Sequence, residues 1–535
     1  MTSAERVEPP EPEALDSQSQ QSAIGGGGEA SATARSASHG AIALSAAKLY
    51  FLVVGLVQQI GLSWLLQDSY GALRGVLSPA SITYNPLVTG GVQGMSRLVS
   101  QCETEEERSA AIRQGLKVHW TLAVLVAAGF FLLAPVLAAS LHSDYLLPAL
   151  RGLSLVVLCY GLYAPLIGVL NGQRRFVLQA TFDVIAATLR TAGLFVGAWW
   201  LIGQGGIRGT EGAVWGFGAS SAVTLMACLA IVGLGRSARA GRSLEAHVAF
   251  VLPVVGAQVI LNFLLQVDTN TLRAFATRAA EAVGQSPQAA DPLIAAYGAG
   301  QLFAFLPYQI LIGLTFILFP LLSTAQARGD AAGVATYVRH GVRLSLIFTG
   351  AIVSVTSGIP HSLIALVFPP QFAEMGAASL GLLSIGLGGF ALFGVFSTVL
   401  NSLGRQWVAL ALTAVALASV FGLNWWFVSD APFGPELLWR TAVSTSIGVF
   451  AAMIMGGAAV YVCARALVAP LTPLRVVACA GLCIVLARQL PTFGRVGTVL
   501  VSAVIVVVYA LLLVLARELS RQDLQFVRTI LRKRG

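Results

Sequence analysis

Polar residues along this chain gather in short clusters, and between them run apolar stretches of about 20 residues, the length that crosses a hydrocarbon core about 30 Å thick. The stretches lie near 41-66, 76-98, 118-140, 149-171, 176-202, 211-234, 248-268, 293-322, 344-368, 376-402, 407-428, 439-463, 472-489 and 496-516, which makes fourteen. They are continuously apolar rather than alternating, the pattern of helices and not of outer-membrane strands. The second stretch stands out, because Ser78, Pro79, Ser81, Thr83, Asn85, Pro86, Thr89 and Gln93 make it polar for a lipid-facing helix. It is expected to face a protected, wet interior. The pattern predicts an all-α polytopic membrane protein with about 14 transmembrane helices.

The first forty residues depart from this pattern. Glu5, Glu8, Glu11, Glu13, Asp16 and Glu29 outnumber Arg6 and Arg35, and a Gln/Ser stretch leads into Gly25 to Gly28. Such a composition reads as a disordered cytoplasmic tail. It has no basic region leading straight into an apolar one, as a signal peptide would. Composition sharpens the class: 56% of the chain is hydrophobic and 11% is charged, against about 25% charged in soluble domains. A water-soluble globule is excluded.

The net charge of +9 would suggest nucleic acid in a soluble protein. Here most lysines and arginines, among them Arg97, Arg113, Lys117, Arg174, Arg175 and Arg339, fall on one side of the membrane when the spans are numbered. That bias predicts both termini inside, an even number of spans and residence in the cytoplasmic (inner) membrane. Attraction to anionic lipid accounts for the surplus without a nucleic-acid partner.

Cys102, Cys159, Cys228, Cys463, Cys479 and Cys483 lie in predicted spans or beside a cytoplasmic end, so none is placed for an extracytoplasmic disulfide. Cys479 and Cys483, one turn apart, read as packing residues rather than a metal pair. His119, His142, His247, His340 and His361 are scattered over different predicted termini and read as interfacial. The glycine run lacks the Lys-Ser/Thr of a phosphate-binding loop, so an ion gradient or downhill flow, not ATP on this chain, is the expected drive. No metal and no cofactor is expected.

The chain also repeats itself. Leu65-Leu66-Gln67, Asp68 and Leu73-Arg74 match Leu264-Leu265-Gln266, Asp268 and Leu272-Arg273, the arginines standing 199 residues apart (273 minus 74). Ile112 to Lys117 matches Val338 to Arg343 at an offset of 226, and Val169-Leu170-Asn171 matches Val399-Leu400-Asn401 at 230. The jump places an insertion after the seventh span, where 274-291 reads as a polar loop. A six-span unit predicts two lobes in the same orientation, related by an axis along the membrane normal with a cavity between them. The expected organisation is a tail at 1-40, an N-lobe at 41-243, a C-lobe at 244-467, two extra spans at 468-516 and a basic cytoplasmic tail at 517-535.

Gly168-Val169-Leu170-Asn171-Gly172-Gln173-Arg174-Arg175-Phe176 at the end of the fourth span, the acidic end of the seventh, and Pro320-Leu321-Leu322-Ser323 closing the eighth resemble the polysaccharide and O-antigen flippases. These belong to the multidrug, oligosaccharidyl-lipid and polysaccharide exporter superfamily. The resemblance spans about 41-516. It implies two six-helix lobes plus two helices, and translocation of an undecaprenyl-pyrophosphate-linked oligosaccharide by alternating access, with membrane lipids, a polysaccharide polymerase and glycosyltransferases as partners. Tyr297 to Ser323, followed by Ala-Arg-Gly-Asp, is also similar to the lipid II flippases of peptidoglycan synthesis, whereas Asn401-Ser402-Leu403-Gly404-Arg405 is closer to the polysaccharide branch.

Charges inside spans are expensive and are therefore candidates for function. Arg190 is the candidate for an anionic head group and Asp183, seven residues earlier, for a coupling proton or cation; the alternative is that each pairs with a neighbouring helix. Arg74 and Arg273 could clamp a pyrophosphate bidentately from the two lobes or snorkel at the outer interface. Asp68 and Asp268 are ion-coupling carboxylates or solvated span ends. Lys48 is a cavity cation or an interfacial anchor. Three functions remain open: a lipid-linked oligosaccharide flippase, an organic-cation antiporter of the same superfamily, and a membrane polymerase or glycosyltransferase. The last is disfavoured because the longest extracytoplasmic loop, 274-292, holds only Glu281 and Asp291 as acids. A non-enzyme is expected, and an arginine-rich cavity would favour the flippase over the antiporter.

Overall fold

A computed structural model describes residues 43–44, 46–235 and 244–519, and every regular element among them is helical. The expected tail at 1-40 and all but the first three residues of that at 517-535 lie outside the described residues. Helix α1 (46–66) continues through the single turn Gln67–Ser69 into α2 (Tyr70–Ser100). Then come α3 (Glu105–Ser140), α4 (Leu147–Gly172), α5 (Phe176–Ile202) and α6 (Gly206–Val232). The second set opens with α7 (Leu244–Ala282), and its next pass is split into α8 (Asp291–Ala304) and α9 (Leu306–Ala327). It continues with α10 (Ala331–Gly358), the short α11 (Pro360–Val367), α12 (Pro370–Ser402), α13 (Gln406–Val428) and α14 (Pro435–Ala464). Helices α15 (Leu471–Ala487) and α16 (Arg495–Leu515) close the described chain.

Among the described residues twelve helices are long and apolar enough to cross a membrane. The same chain makes fourteen passes because α1 and α2 run on as one helix of 55 residues and α15, with 17, falls just short of that length. The connections at 101–104, 173–175, 328–330, 403–405 and 465–470 therefore lie on one side, called here the basic face for Arg174, Arg175, Arg328, Arg405 and Arg465.

Three boundaries differ from the sequence reading. The loop expected from Ala274 is helical as far as Ala282, because Phe275, Ala276, Thr277 and Ala280 present a buried face. The eighth span breaks at Phe305, where Pro307 has no N–H to continue the ladder. Helix α10 begins thirteen residues before the expected 344 (344 minus 331), since Val334, Val338, Gly341 and Val342 form an apolar stripe beneath Arg339 and His340. The acidic start of α3 is a cap: Thr104 Oγ1 accepts from the Glu107 N–H at 3.2 Å, and the Glu107 carboxylate accepts from the Glu103 N–H.

The packing repeats as the sequence does. In the first set α5 packs on α6, α4 on α6, α3 on α4 and α2 on α4; in the second, α13 packs on α14, α12 on α14, α10 on α12, and α8 and α9 on α12. The α5–α6 contact needs glycine: a Cβ on Gly197 would collide with the Gly212 carbonyl and one on Gly216 with that of Gly193, so two small-xxx-small stripes meet. The two lobes join where α2 crosses α7 and α8. The polar second span is thus central to the molecule: Ser78 donates to Gln266 at 2.9 Å, Asn85 to Asn262 at 2.8 Å, and Ser78, Ser81 and Pro86 are buried.

Helices α15 and α16 pack on α10 and are pinned there by Glu518, which is buried. Its carboxylate accepts from Arg343 Nε at 3.0 Å, Thr472 Oγ1 at 3.0 Å and Arg475 at 3.4 Å. Glu518→Ala is expected to lower stability by about 1–2 kcal/mol, less than loss of a fully enclosed pair because both arginines are partly exposed to solvent. Thermal unfolding in detergent measures it, and an unchanged midpoint would remove Glu518 from this role.

Candidate functional site

Polar residues inside an apolar helix must find partners, so their positions trace the protected space. A cavity of about 510 Å³ lies between α1, α2 and α5 on one side and α7, α8 and α9 on the other. Lys48, Arg74 and Arg190 line it, with Gln58, Gln59, Gln266, Gln301 and Gln309 as neutral polar groups, and no Asp or Glu is among its lining residues. Its volume is that of an ordinary small-molecule site, about 300–1,000 Å³. On its wall residues 48–53 of α1 are all exposed, whereas Leu62, Ser63 and Leu66 farther along are buried. The basic-face half of α1 therefore stands loosely against the bundle, held to α5 by Tyr50 Oη and Thr188 Oγ1 at 2.8 Å.

Arg190 is brought in by α5 with its guanidinium 4.8 Å from the Phe51 ring centroid, a cation–π contact that fixes the group while leaving its edge open. Tyr84 and Tyr160 lie within its electrostatic reach. Arg74, one turn into α2, donates to Gln301 Oε1 at 2.6 Å and to Gln59 Oε1 at 3.4 Å. A Cβ on Gly298 would strike its guanidinium, so only glycine lets α8 approach it this closely. Neither arginine makes an ion pair among the described residues, and the Nε of each is buried without a hydrogen-bond partner. Two cations held on neutral amides and an aromatic face leave their charge available to an anion. Lys48 is exposed at the basic-face end of α1, and Asp183 lies in its field.

Arg273 is placed elsewhere, which revises the expectation of a two-arginine clamp. It is fully buried and pairs with Asp291 at 2.5 Å, both in the second lobe. From the first lobe, Gly71 O accepts at 2.8 Å, Tyr145 Oη at 3.0 Å and Ser143 Oγ at 3.4 Å, and Tyr145 also donates to Asp291 at 2.8 Å. The two terminal nitrogens of the guanidinium hold the lobes together at the opposite face, while its Nε is buried without a hydrogen-bond partner. Trp64 Nε1 adds a bond to Val367 O at 2.7 Å on the same side. The interfacial alternative for Arg273 is likewise displaced, because no part of the side chain reaches solvent.

The carboxylates separate. Asp68 is exposed in the turn between α1 and α2, away from the cavity lining. Asp268 is buried and accepts from Tyr297 Oη at 2.9 Å, Gln301 Nε2 at 2.9 Å and the Thr269 N–H at 2.8 Å. Gln301 therefore links Asp268 to Arg74, donating to the carboxylate and accepting from the guanidinium. The sequence reading missed Gln301; the available signal was a lone amide inside the apolar run that follows Tyr297. It also read the histidines as dispersed interfacial groups, whereas His119 and His247 meet at 3.2 Å.

The C-lobe has a counterpart cavity of about 540 Å³ between α7, α9, α12 and α13. The repeat offset of 199 relates their walls: Phe250 and Gln258 on α7 stand where Phe51 and Gln59 stand on α1. No charged residue lines the second cavity, so the two cavities are alike in volume and differ in charge.

No family model and no curated protein matches this chain. Solved structures do. A lipid II flippase, MurJ, in an inward closed conformation matches at a TM-score of 0.69 with 14% identity, covering 89% of this chain and 99% of that one. An inward-facing multidrug resistance transporter of the MATE family in the MOP superfamily matches at 0.61 with 14% identity, covering 81% and 95%. An outward-facing one matches at 0.54 with 16% identity, covering 83% and 96%. The fold of this chain is the two-lobe fold of these transporters.

Proposed function

We propose that the chain is a flippase for a lipid-linked oligosaccharide carried on a pyrophosphate, working by alternating access between the two lobes. One observation carries the reading: Lys48, Arg74 and Arg190 line the cavity between the lobes, and no Asp or Glu is among its lining residues. An organic-cation antiporter needs the opposite polarity. Guanidinium groups match phosphate oxygens two at a time, while the glycan would lie against the cavity's amides and the lipid tail would stay in the bilayer beside the loosely packed half of α1. The basic face is cytoplasmic on this reading, from the bias of Lys and Arg, and the chain belongs to the cytoplasmic membrane beside the glycosyltransferases and polymerase of a surface polysaccharide. Asp183 and Asp268 are the coupling candidates, Asp268 by setting the orientation of Gln301 and so of Arg74. The N-lobe, C-lobe and added pair of helices follow the boundaries 41-243, 244-467 and 468-516.

A second reading, lipid II as the cargo, is supported by the likeness to a lipid II flippase. Both cargoes carry the pyrophosphate and differ in their head groups. The test uses the purified full chain in nanodiscs and three probes: an undecaprenyl-pyrophosphate oligosaccharide, lipid II and a lipophilic phosphonium cation. Saturable binding of a lipid pyrophosphate that weakens with salt is expected, and competition between the two lipids ranks the cargoes. Saturable binding of the cation with none of either lipid would overturn the flippase reading.

A further inference from the structure

Two histidines from different lobes touch inside the bundle at the basic-face end. His119 on α3 and His247 on α7 are both buried, their Nε2 atoms are 3.2 Å apart and their rings meet edge to face with centroids 5.2 Å apart. The contact lies beside the α2–α7 seam, where Gly94 faces Val251 and a Cβ would crowd His119. His247 occupies the repeat position of the cavity residue Lys48 (247 minus 48 is 199), and the Phe that follows each, Phe250 or Phe51, carries an arginine on its face. The C-lobe copy has therefore turned a cationic position into half of an interlobe bond.

The charged groups around the pair are few. From α2, Arg97 sits 4.2 Å from the Phe250 centroid and acts on His247. On α3, Lys117 is two residues before His119 and exposed; on α7, Glu245 is two residues before His247 and exposed, so neither shares a face with the pair. Helix α4 brings no charge between Arg151 and Gln173. Among the described residues no carboxylate is placed to neutralise protons added here.

We propose that His119 and His247 are a proton-binding site that closes the basic face of the seam and opens it when both rings are charged. The chemistry is set by the two facing Nε2 atoms. In the neutral pair one Nε2 carries the hydrogen and the other, with its proton on Nδ1, accepts it. A first added proton goes to the donor's Nδ1 and leaves the bond in place. A second must occupy the accepting Nε2, which removes the last lone pair at the contact and leaves two cations beside Arg97 with only N–H groups facing. The pair therefore separates on binding two protons, and the separation parts α3 from α7, one from each lobe. Proton uptake at this site would favour opening toward the basic face whatever the cargo, so the inference stands apart from the flippase reading.

The test measures conformation and needs no substrate. Spin labels at Lys117→Cys on α3 and Leu252→Cys on α7, in the full chain with its native cysteines replaced by alanine, report the distance across the contact in nanodiscs. Between pH 8 and pH 3.5 the distance distribution is expected to lengthen. In His119→Gln and in His247→Gln, where an amide keeps a hydrogen bond but cannot titrate, the short distance should persist at both pH values. A distance that does not change with pH in the parent, or a shift that survives in both glutamine variants, would overturn the proposal.

Discussion

Arg190→Ala is expected to weaken binding of an undecaprenyl-pyrophosphate probe about 100-fold, or about 2.7 kcal/mol, within the range for truncating one partner of a desolvated charged contact. Arg190 has no Asp or Glu beside it in the cavity lining and makes no ion pair among the described residues, so an anion gains its charge. Arg74→Ala should cost less, because Gln301 and Gln59 already share its guanidinium. Arg190→Lys should recover only part of the loss, since an ammonium keeps the charge without the two-pronged geometry. Binding in nanodiscs, with protein levels matched, measures all three. Wild-type affinity in both alanine variants would remove the cavity from phosphate recognition.

Arg273→Ala is expected to destabilise the protein by about 3–5 kcal/mol, the range for leaving one member of a buried ion pair without its partner. Asp291 would remain buried, holding only the Tyr145 hydroxyl, and Gly71 O and Ser143 would lose a donor. The double change Arg273→Leu with Asp291→Leu should recover much of the loss, because no uncompensated charge is left inside. Thermal unfolding in detergent separates the two. The same variants should weaken lobe closure at the opposite face, since Arg273 is where that closure converges. A loss below about 1 kcal/mol for Arg273→Ala would show that the pair does not carry it.

The candidate site was legible in part. Arg190 and Arg74 stood out because charge within a span is costly, and both line the cavity. Arg273 had the same sequence credentials as Arg74, down to its place in the repeat, yet it is enclosed by Asp291, Tyr145 and Ser143. The difference arises from insertion after the seventh span, where extended α7, its following turn and Asp291 at the start of α8 surround the guanidinium. In the N-lobe the matching arginine bonds Gln301 directly and lines a cavity instead.

What the sequence determined alone is the set of membrane passes and the repeat that doubles them. The bilayer makes that local: each backbone group must be satisfied within its own helix, so length and hydropathy suffice to find a span. The side on which most basic residues fall is likewise a property of consecutive segments. Which polar residues meet was decided only in the tertiary structure. His119 and His247 are separated by 128 residues, and Arg74 and Gln301 by 227. Such partners are set by how α2, α3, α7 and α8 cross, and crossing depends on side-chain shape around glycines such as Gly75, against which Arg273 packs, and Gly298, against which Arg74 packs. A one-dimensional pattern shows that a charge must be satisfied; the packing of the two lobes chooses between a partner and a cavity.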